Sequence, residues 1–169
     1  MGSKININAR SVAENAIVAA LYFILTVVIT PLAYGQFNFR LSELLVLLCF
    51  WRPDFVIGVT LGCFLTNIGS TMGWYDMVFG TLSTLFSSIL IAASPKLLIA
   101  CLWPILVNAF VVGAELYYVL GLPFWINAGY VGAGEGIVII ASYIIWMIMW
   151  RRKDFARVFG PRRKAVPNW

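Results

Sequence analysis

A chain of 169 residues with 62% apolar side chains, only 11% charged ones and a net charge of +5 falls far below the roughly 25% charged usage of soluble domains. Water is therefore excluded as its main solvent. The absence of histidine further excludes Ser/His/Asp and Cys/His catalysis and leaves the three scattered cysteines without a zinc pattern.

In hydrocarbon every backbone amide must be satisfied within the protein, so spans are helices or a closed barrel. The continuous apolar runs at 16–29, 55–65, 97–112 and 137–150 choose helices over the alternation of a barrel. A span takes about 20 residues, fewer when tilted or enclosed. Six segments meet this in one integral membrane domain over residues 1–169: 11–31, 41–51, 55–72, 75–93, 97–120 and 130–150, with a basic tail at 151–169. The polar start runs straight into a full-length span, so no cleavable signal is expected.

Along the chain, the first span carries Ala9, Ala13, Ala16 and Ala20 on one stripe. Such small residues admit a second helix, from within the chain or from a partner. Arg40 and Glu43 stand at the entrance to the second span, which is short. The third contains Gly58 and Gly62, a weaker small-residue pair whose expected role is internal packing, and ends near Asn67, seven residues after Thr60. Asp76 opens the fourth. In the fifth, Asn108 and Glu115 are seven residues apart and share a face. Glu135 falls in the first third of the sixth.

Cytoplasmic loops carry the excess of Lys and Arg. With both termini cytoplasmic, Lys4, Arg10, Arg52, Lys96 and the seven bases from Arg151 to Lys164 all lie inside, leaving Arg40 as the one exception among twelve. The basic tail directly follows a span, so anchoring to anionic lipid, about 1 kcal/mol per charge, is expected rather than nucleic-acid binding. Glu14, Asp54 and Asp154 then lie on the cytoplasmic side. Glu43, Asp76, Glu115 and Glu135 fall in the outer half of the membrane, where a charge costs about 2.5 to 3.5 kcal/mol and implies a cavity or a partner. Phe37, Phe39, Trp74, Tyr75, Tyr117, Tyr118, Phe124, Trp125 and Tyr130 gather at the same level, most as an interfacial belt. These residues predict an outward-facing pocket for a cation, closed by the first outer loop and the 121–129 loop. The competing expectation is local: Glu43 paired with Arg40 and capping the second span, Asp76 capping the fourth.

No phosphate-binding Gly-rich loop is present, so this chain does not hydrolyse ATP by that route. The segments Tyr34-Gly35, Phe39-Arg40-Leu41-Ser42-Glu43, Gly62-Cys63 leading to Asn67-Ile68-Gly69, Asp76-Met77-Val78-Phe79-Gly80, Asn108 with Glu115-Leu116, and Gly129-Tyr130-Val131-Gly132-Ala133-Gly134-Glu135 together resemble the substrate-binding (S) components of energy-coupling factor transporters, specifically the QueT-type queuosine-precursor subunits. The resemblance implies an all-α, six-helix membrane bundle that is not an enzyme and carries no cofactor of its own. Such a subunit captures a 7-deazaguanine such as 7-aminomethyl-7-deazaguanine from outside. It then docks a transmembrane coupling protein driven by two ATPase subunits, through Ala16 and Ala20 with Ala13 beside them. A guanine-like edge offers two adjacent N–H donors to one carboxylate, and an aminomethyl cation wants a second. The expected binding residues are Glu43, Asn67, Asn108, Glu115 and Glu135, then Asp76 and Arg40. An S component for another small cationic nutrient, a stand-alone proton-coupled carrier using Glu115 and Glu135, and a membrane enzyme remain as alternatives.

Overall fold

A computed structural model describes residues 9–28, 40–70 and 72–152. The expected first outer loop with Tyr34, Gly35, Phe37 and Phe39, the N-terminal Lys4 and the basic tail beyond Arg152 with Asp154 lie outside the described residues.

The described chain is helical. In order come α1 (Ala9–Val28), a 3-10 turn (Leu41–Leu45), α2 (Leu48–Trp51), α3 (Phe55–Asn67), a π turn (Asp76–Gly80) running into α4 (Thr81–Ala93), α5 (Leu97–Leu120) and α6 (Phe124–Trp150). Four segments are long and apolar enough to cross a bilayer: Ala9–Val28, Asp76–Ala93, Leu97–Leu120 and Phe124–Trp150. Their outer faces expose large apolar side chains at helical spacing, such as Ile137, Ile140, Ile144 and Ile148, which suits a lipid solvent.

α1 buries Ser11, Val18, Tyr22 and Thr26 on one face and crosses α3 at two glycines. A Cβ on Gly58 would stand 2.8 Å from the Asn15 carbonyl oxygen, and one on Gly62 would stand 2.6 Å from the Tyr22 Cβ. Asn15 Oδ1 accepts the Gly58 N–H at 2.8 Å. The glycine pair thus packs within the chain, as expected.

The expected second span takes another form. Leu41–Trp51 is a 3-10 turn followed by one turn of α-helix, and Leu45 through Trp51 are all buried. Eleven residues rise only about 16 Å even if fully α-helical, short of a hydrocarbon core of about 30 Å. Broken helix is tolerated at membrane depth when protein encloses it, and here the Ser142 hydroxyl and the Trp146 indole N–H both donate to the Leu44 carbonyl, at 2.8 and 2.6 Å. α6 thereby satisfies the acceptor that the irregular backbone leaves over.

Two further boundaries move. α3 ends at Asn67 rather than near 72, with a turn through Gly69 and Gly73, the latter at φ +62°. α6 begins at Phe124 rather than Tyr130, because Pro123 starts the helix and the Asn127 amide donates back to the Pro123 carbonyl at 2.7 Å. α5 closes on Gly121 at φ +67°, the left-handed cap that glycine adopts freely. The predicted 121–129 loop is therefore only residues 121–123.

At the end opposite Gly121, Arg52 joins Glu14 (2.5 Å) and Asp54 (Nε 3.0 Å, Nη2 2.7 Å), stands 4.5 Å over the Phe55 ring, and Arg10 pairs with Glu14 at 2.8 Å. Arg52 and Asp54 are buried, so this ion cluster ties α1 to the α2–α3 turn.

Candidate binding site

The π turn before α4 sets the site. A π turn holds one extra residue in the helix and is frequent at functional positions. Here it carries Asp76 at its start and Gly80 at its end. A Cβ on Gly80 would lie 2.8 Å from Asn67 Nδ2 and 3.5 Å from Arg40 Nη1; glycine is what lets both side chains approach.

All seven residues expected to bind, Arg40, Glu43, Asn67, Asp76, Asn108, Glu115 and Glu135, are buried, and they join one polar cluster inside the bundle. Toward the Gly121 end, Arg40 Nη2 lies 3.5 Å from Asp76 Oδ1, the Ser70 hydroxyl donates to Asp76 Oδ2, and the Glu115 carboxyl lies against that of Asp76. Deeper, the Tyr22 hydroxyl donates to Glu43 Oε1 at 2.5 Å and the Thr84 hydroxyl reaches the same oxygen at 3.5 Å. Glu135 faces Glu43 and Arg40. The Ser83 hydroxyl donates to Asn108 Oδ1, which leaves the Asn108 amide N–H within reach of Glu135. Asn67 Nδ2 donates to the Asp76 carbonyl at 2.9 Å.

Two details differ from expectation. Arg40 pairs with Asp76 at 3.5 Å, and Glu43 is held by Tyr22 across the bundle. Glu135 sits almost midway along a helix that starts at Phe124, about 17 Å from its beginning. The acids thus span two depths.

The unpartnered atoms on the acids and amides of the cluster are chemically one-sided. No donor among the described residues reaches Glu43 Oε2, Asn67 Oδ1, Glu115 Oε1, Glu115 Oε2 or Glu135 Oε1. All five are acceptors. A buried group left unmade costs about 1 to 3 kcal/mol, more when charged, so these five atoms call for N–H or O–H donors. Among the described residues no group of three or more His, Cys, Asp or Glu is placed to hold a metal ion.

Sequence reading missed Tyr22, Ser70, Ser83 and Thr84, and took Cys63 only as a small buried apolar group. Its thiol lies 3.2 Å from the Thr84 hydroxyl and 3.4 Å from Asn67 Nδ2. A signal was present: Ser83, Thr84, Ser87 and Ser88 form a buried hydroxyl stripe on α4 at helical spacing. The aromatics follow the belt reading. Trp74, Tyr117, Tyr118, Trp125 and Tyr130 are exposed, and Trp74 stacks on Tyr75 at 4.0 Å. Ala13, Ala16 and Ala20 are exposed on α1, away from the α3 crossing.

The sequence model described as QueT transporter matches residues 12–151. The chain is 30% identical over 158 residues to the Queuosine precursor transporter QueT of Lactococcus lactis subsp. cremoris (strain MG1363), covering 84% of this chain and 93% of that protein. No solved structure matches the chain. With a family match over most of its length and a relative aligned nearly end to end, this multi-pass membrane protein belongs to the QueT transporter family.

Proposed function

We propose that the chain is the substrate-binding (S) component of an energy-coupling factor importer, capturing a queuosine precursor from outside the cell. The ligand read by the cluster is 7-aminomethyl-7-deazaguanine or a close relative. The observation that carries this reading is the set of five unpartnered buried acceptors on Glu43, Asn67, Glu115 and Glu135. A carboxylate accepting two parallel N–H bonds suits the guanine-like edge, and a second carboxylate suits the aminomethyl cation. Arg40 and Asp76, already paired at 3.5 Å, position the others.

Six crossings with both termini cytoplasmic place the Arg52 cluster inside, in keeping with the excess of bases there. α3, with only 13 residues, and the enclosed Leu41–Trp51 segment complete the count. The exposed Ala13, Ala16 and Ala20 face offers a close-packing surface to a transmembrane coupling protein, and ATP is used by two partner subunits.

The test is ligand binding to the purified subunit in detergent, comparing the aminomethyl compound, its 7-cyano analogue, guanine and thiamine. The cyano group is an acceptor and meets acceptors, so the aminomethyl compound should bind at least tenfold tighter, a difference of about 1.4 kcal/mol. Glu115→Gln and Glu135→Gln should each weaken it. Equal or tighter binding of the cyano compound would sink the substrate assignment. Ala16→Leu with Ala20→Leu should abolish ATP-driven uptake and spare binding, whereas uptake by the chain alone under a proton gradient would overturn the S-component role.

A further inference from the structure

Among the described residues, the cluster contains more acid than its bases can balance. Asp76 on the π turn, Glu43 on the 3-10 turn, Glu115 on α5 and Glu135 on α6 face one guanidinium, that of Arg40. Among the described residues, the other titratable groups against them are the Tyr22 hydroxyl from α1 and the Cys63 thiol from α3. The carboxyls fall into two pairs, Asp76 with Glu115 and Glu43 with Glu135. Two carboxyls sharing one buried site do not both ionise; one keeps a proton.

The members of each pair are unequal. Asp76 has Arg40 at 3.5 Å and the Ser70 hydroxyl, and Glu43 has the Tyr22 hydroxyl at 2.5 Å. Neither oxygen of Glu115 meets an N–H or O–H among the described residues, and Glu135 keeps one oxygen bare. A buried carboxyl short of such donors keeps its proton, so the protons are held on Glu115 and Glu135.

We infer that binding is an exchange of cations: the incoming ligand ammonium displaces one stored proton from Glu115 or Glu135, so that the cluster keeps its net charge. This rests on the binding reading proposed above. In the step, one carboxyl O–H bond breaks, the freed proton goes to bulk water, and the carboxylate accepts N–H bonds from an ammonium that retains its own protons. A carboxylic acid has spent one oxygen on its own proton and cannot receive two donors; the carboxylate can.

Titration calorimetry of the subunit in detergent with 7-aminomethyl-7-deazaguanine tests this, run at one pH in phosphate and in Tris, which differ in ionisation enthalpy. The expected result is release of one proton per ligand, none with neutral guanine, and an affinity for the cation that rises about tenfold per pH unit between roughly pH 6 and 7.5, since released protons make binding favour high pH. An alkylammonium keeps its charge over that window. Either Glu115→Gln or Glu135→Gln should abolish the release. Intact binding with equal enthalpies in both buffers and a flat pH profile would overturn the exchange and leave the functional reading standing. Release retained in both variants would overturn it too. Absence of binding by any deazapurine would remove the functional reading and the exchange together.

Discussion

Gly62→Ala puts one methyl group into the α1–α3 crossing. The new Cβ would lie 2.6 Å from the Tyr22 Cβ and 2.9 Å from the Ala19 carbonyl oxygen, where ordinary contact is 3.4–4 Å. Both neighbours belong to the α1 backbone or its first side-chain atom and cannot swing aside, so α1 must retreat by about 1 Å. Overpacking of this kind costs about 1 to 3 kcal/mol. The retreat also draws the Tyr22 hydroxyl from 2.5 Å toward the limit of a hydrogen bond to Glu43, and a bond to a charged group contributes about 1.5 to 3 kcal/mol. Together they amount to about 2.5 to 6 kcal/mol. The assay is the thermal midpoint in detergent, alongside Gly136→Ala, whose Cβ would meet nothing within 4 Å. Gly62→Ala should melt several degrees below the parent and Gly136→Ala within a degree or two of it. Tyr22→Phe, which deletes the hydroxyl without a clash, should show only the hydrogen-bond part of the loss. If Gly62→Ala melts with the parent, the close crossing is wrong; if Gly136→Ala falls as far, the effect is helix propensity and the geometric reasoning fails.

Other consequences are open to the same measurements. Arg52→Met strips Asp54 of its two-point partner and Glu14 of its shortest contact, and should cost about 3 to 5 kcal/mol, the usual result of unpairing a buried charge; a melting curve like the parent's would refute it. Ser142→Ala and Trp146→Phe each leave the Leu44 carbonyl one donor, so each alone should be mild, while the double variant should exceed their sum by about 1 kcal/mol or more in a double-mutant cycle. Cys101 is half-buried and Cys49 and Cys63 are buried, so a maleimide reagent should label Cys101 first and the other two only on unfolding, as mass spectrometry of digested protein would reveal.

Whatever a solvent dictates was legible in the chain alone. A protein with 11% charge and apolar runs of span length has no option but buried backbone in helices, and a carboxylate at bilayer depth has no option but to find company; that is why the acids and amides expected to bind all appear inside the bundle. The choice of partners came from packing. Nothing in the local sequence says that Arg40 turns to Asp76 or that Tyr22 reaches Glu43, because those pairs depend on how closely α1, α3 and the π turn approach, and that approach is governed by missing methyl groups at Gly58, Gly62 and Gly80. The broken second segment was likewise beyond a hydropathy reading. Leu41–Trp51 is as apolar as a span, and only the donors that Ser142 and Trp146 bring from about a hundred residues away allow it to stop being a regular helix while still enclosed.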